Sequence, residues 1–287
     1  MSTQSHNLQM PAGSIDAHQH FWAYDAQRHS WINDEMAVIR KDFSPADLWP
    51  QLQANGLAGC VAVQADQTDQ ESAFLLAYAE QHAFIKGVVG WTDLRSPGIQ
   101  QQLEQYSSRQ KLKGFRHVLQ GEAPSFMLQP DFLRGIGQLN TYGFTYDILI
   151  YPRHLSAALE LVKQFPNQPF VIDHIAKPAI KTGDIDQWKT GMRAIAAFQN
   201  VYCKISGMVT EADMRNWKYQ DFVPALDWVT EAFGTDRIMY GSDWPVCLAG
   251  GSYADVLNIV KKYFSRFSNA EQAKFFASNA TAFYHLT

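Results

Sequence analysis

Apolar residues in this chain come in eight short runs, at 14–21, 57–64, 85–92, 112–119, 145–150, 170–175, 201–206 and 238–242, each rich in Val, Ile, Phe or Tyr. Runs of this length read as strands, and most are followed by a longer stretch with the three-to-four-residue spacing of a helix. Strands that alternate with helices lie parallel, and eight of them predict closure into a (β/α)8 barrel of the TIM type rather than an open α/β sheet. Ser44-Pro45-Ala46-Asp47 supplies a helix cap, a first-turn proline and a carboxylate three residues beyond the cap. Pro130 and Pro152 open two further helices. The stretch 155–165 sets Leu155, Ala158, Leu159 and Val162 on one face and stops at Pro166. Two helical stretches, 253–267 and 269–284, follow the last strand, and the second is expected to cover the barrel.

The length, 287 residues, fits one such barrel, so the expected organisation is a flexible polar segment at 1–13 and a single domain at 14–287. With 46% hydrophobic and 18% charged residues the composition is globular and excludes a disordered chain. A net charge of −4 without basic blocks argues against nucleic acid or a membrane surface and leaves a small molecule as the expected partner. Cys60, Cys203 and Cys247 are odd in number and lack CxxC spacing, as reduced thiols of a cytoplasmic protein do. No apolar stretch reaches membrane-span length, and residues 1–13 lack the apolar segment of a signal peptide. No GxGxxG follows the first strand and no P-loop is present, which sets aside the nucleotide-binding relatives of this class.

In a barrel of this kind the reacting groups lie at the C-terminal ends of the strands. Four clusters of ionisable residues fall there. Asp16-Ala17-His18-Gln19-His20 ends the first strand. Side-chain alternation turns His18 and His20 to one face, about 7 Å apart along the strand, within reach of one metal ion unless both merely pack. Asp173-His174 ends the sixth strand and puts an imidazole at the mouth, to bind metal, polarise a carbonyl or rest on a backbone carbonyl. Asp243, after Gly241-Ser242 on the eighth strand, is a carboxylate suited to hold an attacking water and take its proton. The Trp244-Pro245 that follows argues against a simple helix cap. On the fourth strand Arg116 is a fixed cation for a carboxylate or a developing oxyanion, and His117 points to the opposite face. Asp147 on the fifth strand is either solvated or paired with Arg116. Trp22, Trp31, Trp91 and Trp244, with His117, are the candidate substrate contacts, because aromatic faces stack on sugar C–H surfaces; some of them could instead cover the barrel.

Taken in order, AHQHFW, KGFRH, VIDHIAKP and YGSDWP resemble the amidohydrolase-2 branch of the amidohydrolase superfamily, and within it the group containing the L-fuconolactone and L-rhamnonolactone hydrolases. The likeness runs from Asp16 to the C-terminal helix. It implies a distorted barrel that hydrolyses a ring ester or amide, with His18 and His20 as the first-strand metal pair, His174 as the strand-six histidine and Asp243 as the strand-eight aspartate. Binuclear relatives carry a carboxylated lysine at the end of strand four, where this chain has Arg116 and His117. Mononuclear relatives often carry a histidine on strand five, which here reads Tyr146 to Ile150 with His154 only beyond Pro152. One divalent ion, zinc by expectation, held by His18, His20 and Asp243, therefore stands as the cofactor, and metal-free catalysis as the alternative.

The expected reaction is water attack on the carbonyl of a sugar-acid lactone, with Asp243 as base and His174 and Arg116 facing the oxyanion. A dicarboxylate lactone hydrolase or an aromatic-acid decarboxylase would require several cations at the rim, where Arg116 stands with Lys177 and Arg153 as further candidates. A non-catalytic sugar-binding barrel is the third reading, against which the set of His18, His20, His174 and Asp243 speaks. Among neutral lactones the resemblance favours six-carbon 6-deoxy sugars. Ring size and oligomeric state, a homo-oligomer included, are left open.

Overall fold

The computed structural model describes residues 8–287. Eight strands form: β1 (Ile15–Gln19), β2 (Gly59–Val63), β3 (Ile85–Gly90), β4 (Leu112–Val118), β5 (Thr145–Leu149), β6 (Phe170–Ile172), β7 (Val201–Ile205) and β8 (Ile238–Tyr240). They pair in parallel in their sequence order. The helices between them are α1 (Pro45–Ala54), α2 (Asp69–Gln81), α3 (Ile99–Ser107), α4 (Pro130–Leu139), α5 (Leu155–Gln164), α6 (Asp186–Ala196) and α7 (Tyr219–Phe233), with α8 (Tyr253–Phe264) after β8. This is the (β/α)8 barrel that the pattern predicts. Ser44 and Asp47 cap α1 reciprocally. On α5 the buried stripe is Leu155, Ala157, Ala158, Leu161 and Val162, so Leu161 takes the place expected for Leu159. None of the described helices is long and apolar enough to cross a membrane.

The stretch 269–284 is not one helix. It divides into α9 (Asn269–Ala273), a π turn at Lys274–Ser278 and α10 (Asn279–Phe283). Ala280, Phe283 and Tyr284 pack with Ile15, Ala17, Val61, Val63, Val89, Val171 and Met239, the inward-facing residues of the barrel. Tyr202 and Leu286 also touch this cluster, and the Lys113 ammonium donates to the His285 carbonyl. Since Lys113 and Tyr202 lie at the starts of their strands, the C-terminal segment closes the barrel at the end opposite the strand C-termini. In the N-terminal segment, residues 1–7 lie outside the described residues, Leu8 is buried in the outer core, and Met10 packs beside it.

The ring closes between β1 and β8 through side chains and a few backbone contacts. His20 N–H donates to the Trp244 carbonyl at 2.7 Å and Asp243 N–H to the His18 carbonyl at 2.8 Å. The Asp16 carboxylate accepts from Ser242 N–H at 2.9 Å and from the Tyr253 hydroxyl at 3.0 Å. Burial lifts the Asp16 pKa to about 6, against the pull of these bonds from Ser242, His18 and Tyr253. Gly241 lies in this seam, and a Cβ there would stand 2.6 Å from the His18 Cβ and 3.1 Å from the Ser206 Cβ. Gly241→Ala is therefore expected to destabilise the protein by about 1–3 kcal/mol in denaturant unfolding and to lower activity through His18. Wild-type stability and rate in this variant would mean that the seam yields without moving His18.

Candidate active site

β1 and the turn after β8 bring His18, His20 and Asp243 to one point. His18 Nε2 lies 3.2 Å from His20 Nε2, and Asp243 Oδ1 lies 3.3 Å from His20 Nε2 and 3.9 Å from His18 Nε2. His20 Nδ1 bonds the Val63 carbonyl at 2.8 Å. A carbonyl only accepts, so the Nδ1 proton is fixed there and Nε2 is turned to Asp243. His18 Nδ1 lies 3.3 Å from Asp173 Oδ1 and 3.1 Å from the Lys204 ammonium, and its Nε2 is turned toward His20. Two ring nitrogens and a carboxylate oxygen facing one another this closely need a cation or a proton between them. Neutral imidazoles plus a carboxylate, with ligand atoms all within 4.8 Å, make a donor set that fits a divalent ion such as zinc.

His174 completes the group, its Nε2 3.9 Å from Asp243 Oδ1 and its Nδ1 2.9 Å from Ser206 Oγ. It stands in a turn of four non-glycine residues, His174, Ile175, Ala176 and Lys177, with φ of 52°, 48°, 56° and 51°. Left-handed backbone costs an L-residue about 1–2 kcal/mol. The strain is held by Lys177 N–H on the His174 carbonyl, by the Trp188 indole N–H on the Ile175 carbonyl and by burial of Ile175 and Ala176. The apolar run at 170–175 thus ends as a strand at Ile172, because the next residues turn away from the sheet. Gly207 lets the ring in, since a Cβ there would meet His174 Nδ1 at 2.6 Å. Asp243 also has positive φ, 58°, a region that Asp tolerates better than most residues.

Electrostatics divide the group. Burial pushes His174 down to about 3 and His18 well below its usual range, so both are neutral near pH 7. Burial alone would raise Asp243, but His174, His20 and His18 outweigh it and hold the carboxyl below the usual carboxylate range. Under His18 runs a buried ionic ladder. Arg116 Nη1 is 3.1 Å from Asp173 Oδ2 and 3.2 Å from His18 Nε2, and Arg116 Nη2 bonds the Gln64 carbonyl. Lys204 Nζ is 3.1 Å from Asp173 Oδ1, 3.1 Å from His18 Nδ1 and 2.5 Å from Asp147 Oδ2, and the Tyr284 hydroxyl closes on Asp147. Burial would raise Asp173, yet Lys204, His18 and Arg116 keep it well below the normal range.

Asp147 is therefore paired with Lys204, and not solvated or bound to Arg116. Lys204 joins the site without having been among the expected residues; its signal in the sequence is a lysine inside the apolar run Val201-Tyr202-Cys203-Lys204-Ile205, since such a charge is buried only with partners. His154 is buried on the backbone carbonyls of Tyr151 and Glu122, away from the cluster.

Above the cluster opens a cavity of about 470 Å³ lined by His20, Trp31, Arg116, His174, Lys177, Glu211 and Asp243, among others. Of the four tryptophans expected at this rim, Trp31 lines it. Trp22, Trp91 and Trp244 do not. Trp22 and Trp244 are buried on either side of Phe43, their ring centroids 5.6 and 5.1 Å from it. Their flat apolar faces fill the layer beneath the first loop. Trp91 donates its indole N–H to His117, whose ring stacks on Phe126 at 4.9 Å on the helix side of β4. Strand alternation sends Arg116 inward and His117 outward, and Trp91 follows His117. Lys177 belongs to the wall, paired with Glu211 at 2.5 Å, while Arg153 bonds the Gln120 carbonyl outside it.

Three imidazoles and a carboxylate thus converge at the C-terminal ends of the strands of a parallel barrel, where enzymes of this fold keep their reacting groups. The amidohydrolase family model matches residues 15–286, and the chain belongs to that family. It is 39% identical over 289 residues to an L-fucono-1,5-lactonase of Burkholderia multivorans, with 96% of this chain and 97% of that one covered. A second L-fucono-1,5-lactonase, from Burkholderia ambifaria, is 35% identical with 95% of each chain covered. A crystal structure of a Burkholderia multivorans amidohydrolase with bound zinc superposes with a TM-score of 0.93 at 39% identity, covering 96% of this chain and 100% of that one.

Lys204→Met would leave Asp147 and Asp173 without their shared buried cation. A loss of about 3–5 kcal/mol in denaturant unfolding is expected. A loss below about 1 kcal/mol would mean that the ladder is not charged as described.

Proposed function

We propose that this chain is a lactonase that opens the ring ester of a neutral sugar acid, L-fucono-1,5-lactone first among the candidates, to the aldonate. The observation that carries this reading is the charge of the cavity wall. Its two cations are already matched, Arg116 by Asp173 and Lys177 by Glu211. A substrate with several carboxylates would find no unmatched cation among the described wall residues, whereas a neutral polyol ring asks only for hydrogen bonds. The two Burkholderia relatives, named for a neutral lactone, support the same choice. Three buried free cysteines, Cys60, Cys203 and Cys247, support a reducing compartment such as the cytoplasm.

In this mechanism the lactone carbonyl carbon sits above Asp243. The water oxygen bonds to that carbon while Asp243, its carboxyl below the usual carboxylate range and so ionised near pH 7, accepts the water's proton. The negative charge that grows on the carbonyl oxygen faces Arg116 and His174, whose Nε2 carries the proton when the Ser206 hydroxyl donates to Nδ1. Asp243 then returns the proton to the ring oxygen as the ring C–O bond breaks. A single zinc ion held by His18, His20 and Asp243, when bound, supplies Lewis-acid charge that polarises the carbonyl. A carboxylate held so far below its usual range is a weak base, which is why positive charge beside the carbonyl matters here.

Asp243→Asn keeps the shape and cannot accept the proton. Turnover is expected to fall by about 10²–10⁴-fold, and metal analysis is expected to find less zinc than in the wild type. Because the base is a depressed carboxylate, wild-type kcat/KM should show no acid limb near the ordinary imidazole value of about 6.5. A limb there, or wild-type turnover in Asp243→Asn, removes Asp243 as the base.

On a lactone panel, neutral aldonolactones should exceed dicarboxylate lactones in kcat/KM by about a hundredfold or more. Equal or better hydrolysis of the dicarboxylates would overturn the substrate class and leave the fold and the cluster untouched.

A further inference from the structure

Lys177 and Glu211 line the cavity but have no part in the chemistry above. Their atoms meet at 2.5 Å, and both side chains are largely enclosed, at 13% and 20% exposure. Glu211 is, among the described residues, the one hydrogen-bond partner of the Lys177 ammonium, which has three protons to give. The carboxylate likewise has capacity to spare, since apart from Lys177 its side chain meets the Thr210 hydroxyl alone, through Oε1 at 3.5 Å. Burial would lower the Lys177 pKa, but Glu211 and Asp243 outweigh it and raise it, so the ammonium stays charged. The pair is neutral as a whole and yet presents a donor and an acceptor side by side.

Its position is built rather than incidental. Lys177 closes the left-handed turn that starts at His174, so the same strained segment carries both residues to the cavity three positions apart. Glu211 is tied to the stretch that follows this segment by Lys181 N–H on its own carbonyl at 2.9 Å. Backbone strain kept by so many contacts marks a place where side-chain aim matters.

We propose that Lys177 and Glu211 are the subsite that reads two neighbouring hydroxyls of the lactone ring, the ammonium donating to one oxygen and the free carboxylate oxygen accepting from the other. The pair then selects a polyhydroxylated lactone over a bare or deoxygenated one. The inference rests on the lactonase reading. A charged pair in an enclosed wall is poorly satisfied when the hydroxyls are missing, and that deficit is what discriminates.

The test compares L-fucono-1,5-lactone, its single-deoxy analogues and δ-valerolactone on wild type, Lys177→Met, Glu211→Gln and the double variant Lys177→Met/Glu211→Met, which leaves no charge unmatched. In the wild type at least one deoxy position should lose about a hundredfold in kcat/KM. In the variants the sugar lactone should lose a similar factor, while δ-valerolactone, which also reports a folded site, changes less than about threefold. The deoxy series needs no variant, and a flat series overturns the subsite even if every variant unfolds. Equal losses on both lactones, with wild-type circular dichroism and melting, would make the pair structural and overturn it as well. A wild type that opens the sugar lactone and δ-valerolactone equally well sinks the subsite alone. A wild type that opens no lactone sinks the lactonase reading and the subsite with it.

Discussion

Asp173 is ionised although fully buried, and it can be so because three partners converge on its two oxygens: Lys204, Arg116 and the His18 ring. The barrel interior is otherwise filled by small and branched apolar side chains such as Ala17, Val61, Val89 and Val171. A charge in such surroundings is tolerable only when it is matched, and each match here commits a different strand. Arg116 comes from β4, Asp147 from β5, Asp173 from the end of β6, Lys204 from β7 and His18 from β1. The network therefore acts as a register pin for five of the eight strands. It also grips the His18 ring from below, through Lys204 and Asp173 at Nδ1, and so aims Nε2 at the cluster above.

Among the described residues, six non-glycine positions have positive φ, and all but His285 lie where chemistry is proposed. Positive φ at His174 through Lys177 and at Asp243 costs conformational energy, and the surrounding contacts hold it there. At Asp243 those contacts are the seam bonds between β1 and the segment after β8. Closing the ring and aiming the carboxylate at His18 and His20 are thus one event, and Gly241 and Gly207 make room for it on either side.

Charge matching in the wall gives the cavity its character. With Arg116 committed below and Lys177 committed at the side, the wall recognises oxygen atoms through donors and acceptors rather than anions through bare cations. This agrees with a neutral ring as substrate, and it leaves the one weakly basic carboxylate, Asp243, beside the cations that make its task easier. The aromatic rim plays a smaller part than the abundance of tryptophan implies, because only Trp31 of the four reaches the cavity.

The sequence by itself determined the eight-fold repeat of strand and helix, the α1 cap and the identity of His18, His20, His174 and Asp243 as the central group, because period, capping and strand-end position are local properties. Each strand forms slightly inside its apolar run, and β6 stops at Ile172 because a left-handed turn of ordinary residues leaves no mark in composition. Tertiary structure decided the rest. Trp22 and Trp244 carry the same flat apolar face whether they line a pocket or fill a layer, so only the packing around Phe43 tells which. Arg116 and His117 are separated by alternation, but which of them faces inward depends on where the barrel axis lies. The pairing of Asp147 with Lys204, rather than with Arg116, could not be read along the chain, since 57 positions separate the two residues. Closure of the ring brings them within 2.5 Å of each other, and a buried charge takes whichever opposite charge the closed barrel sets beside it.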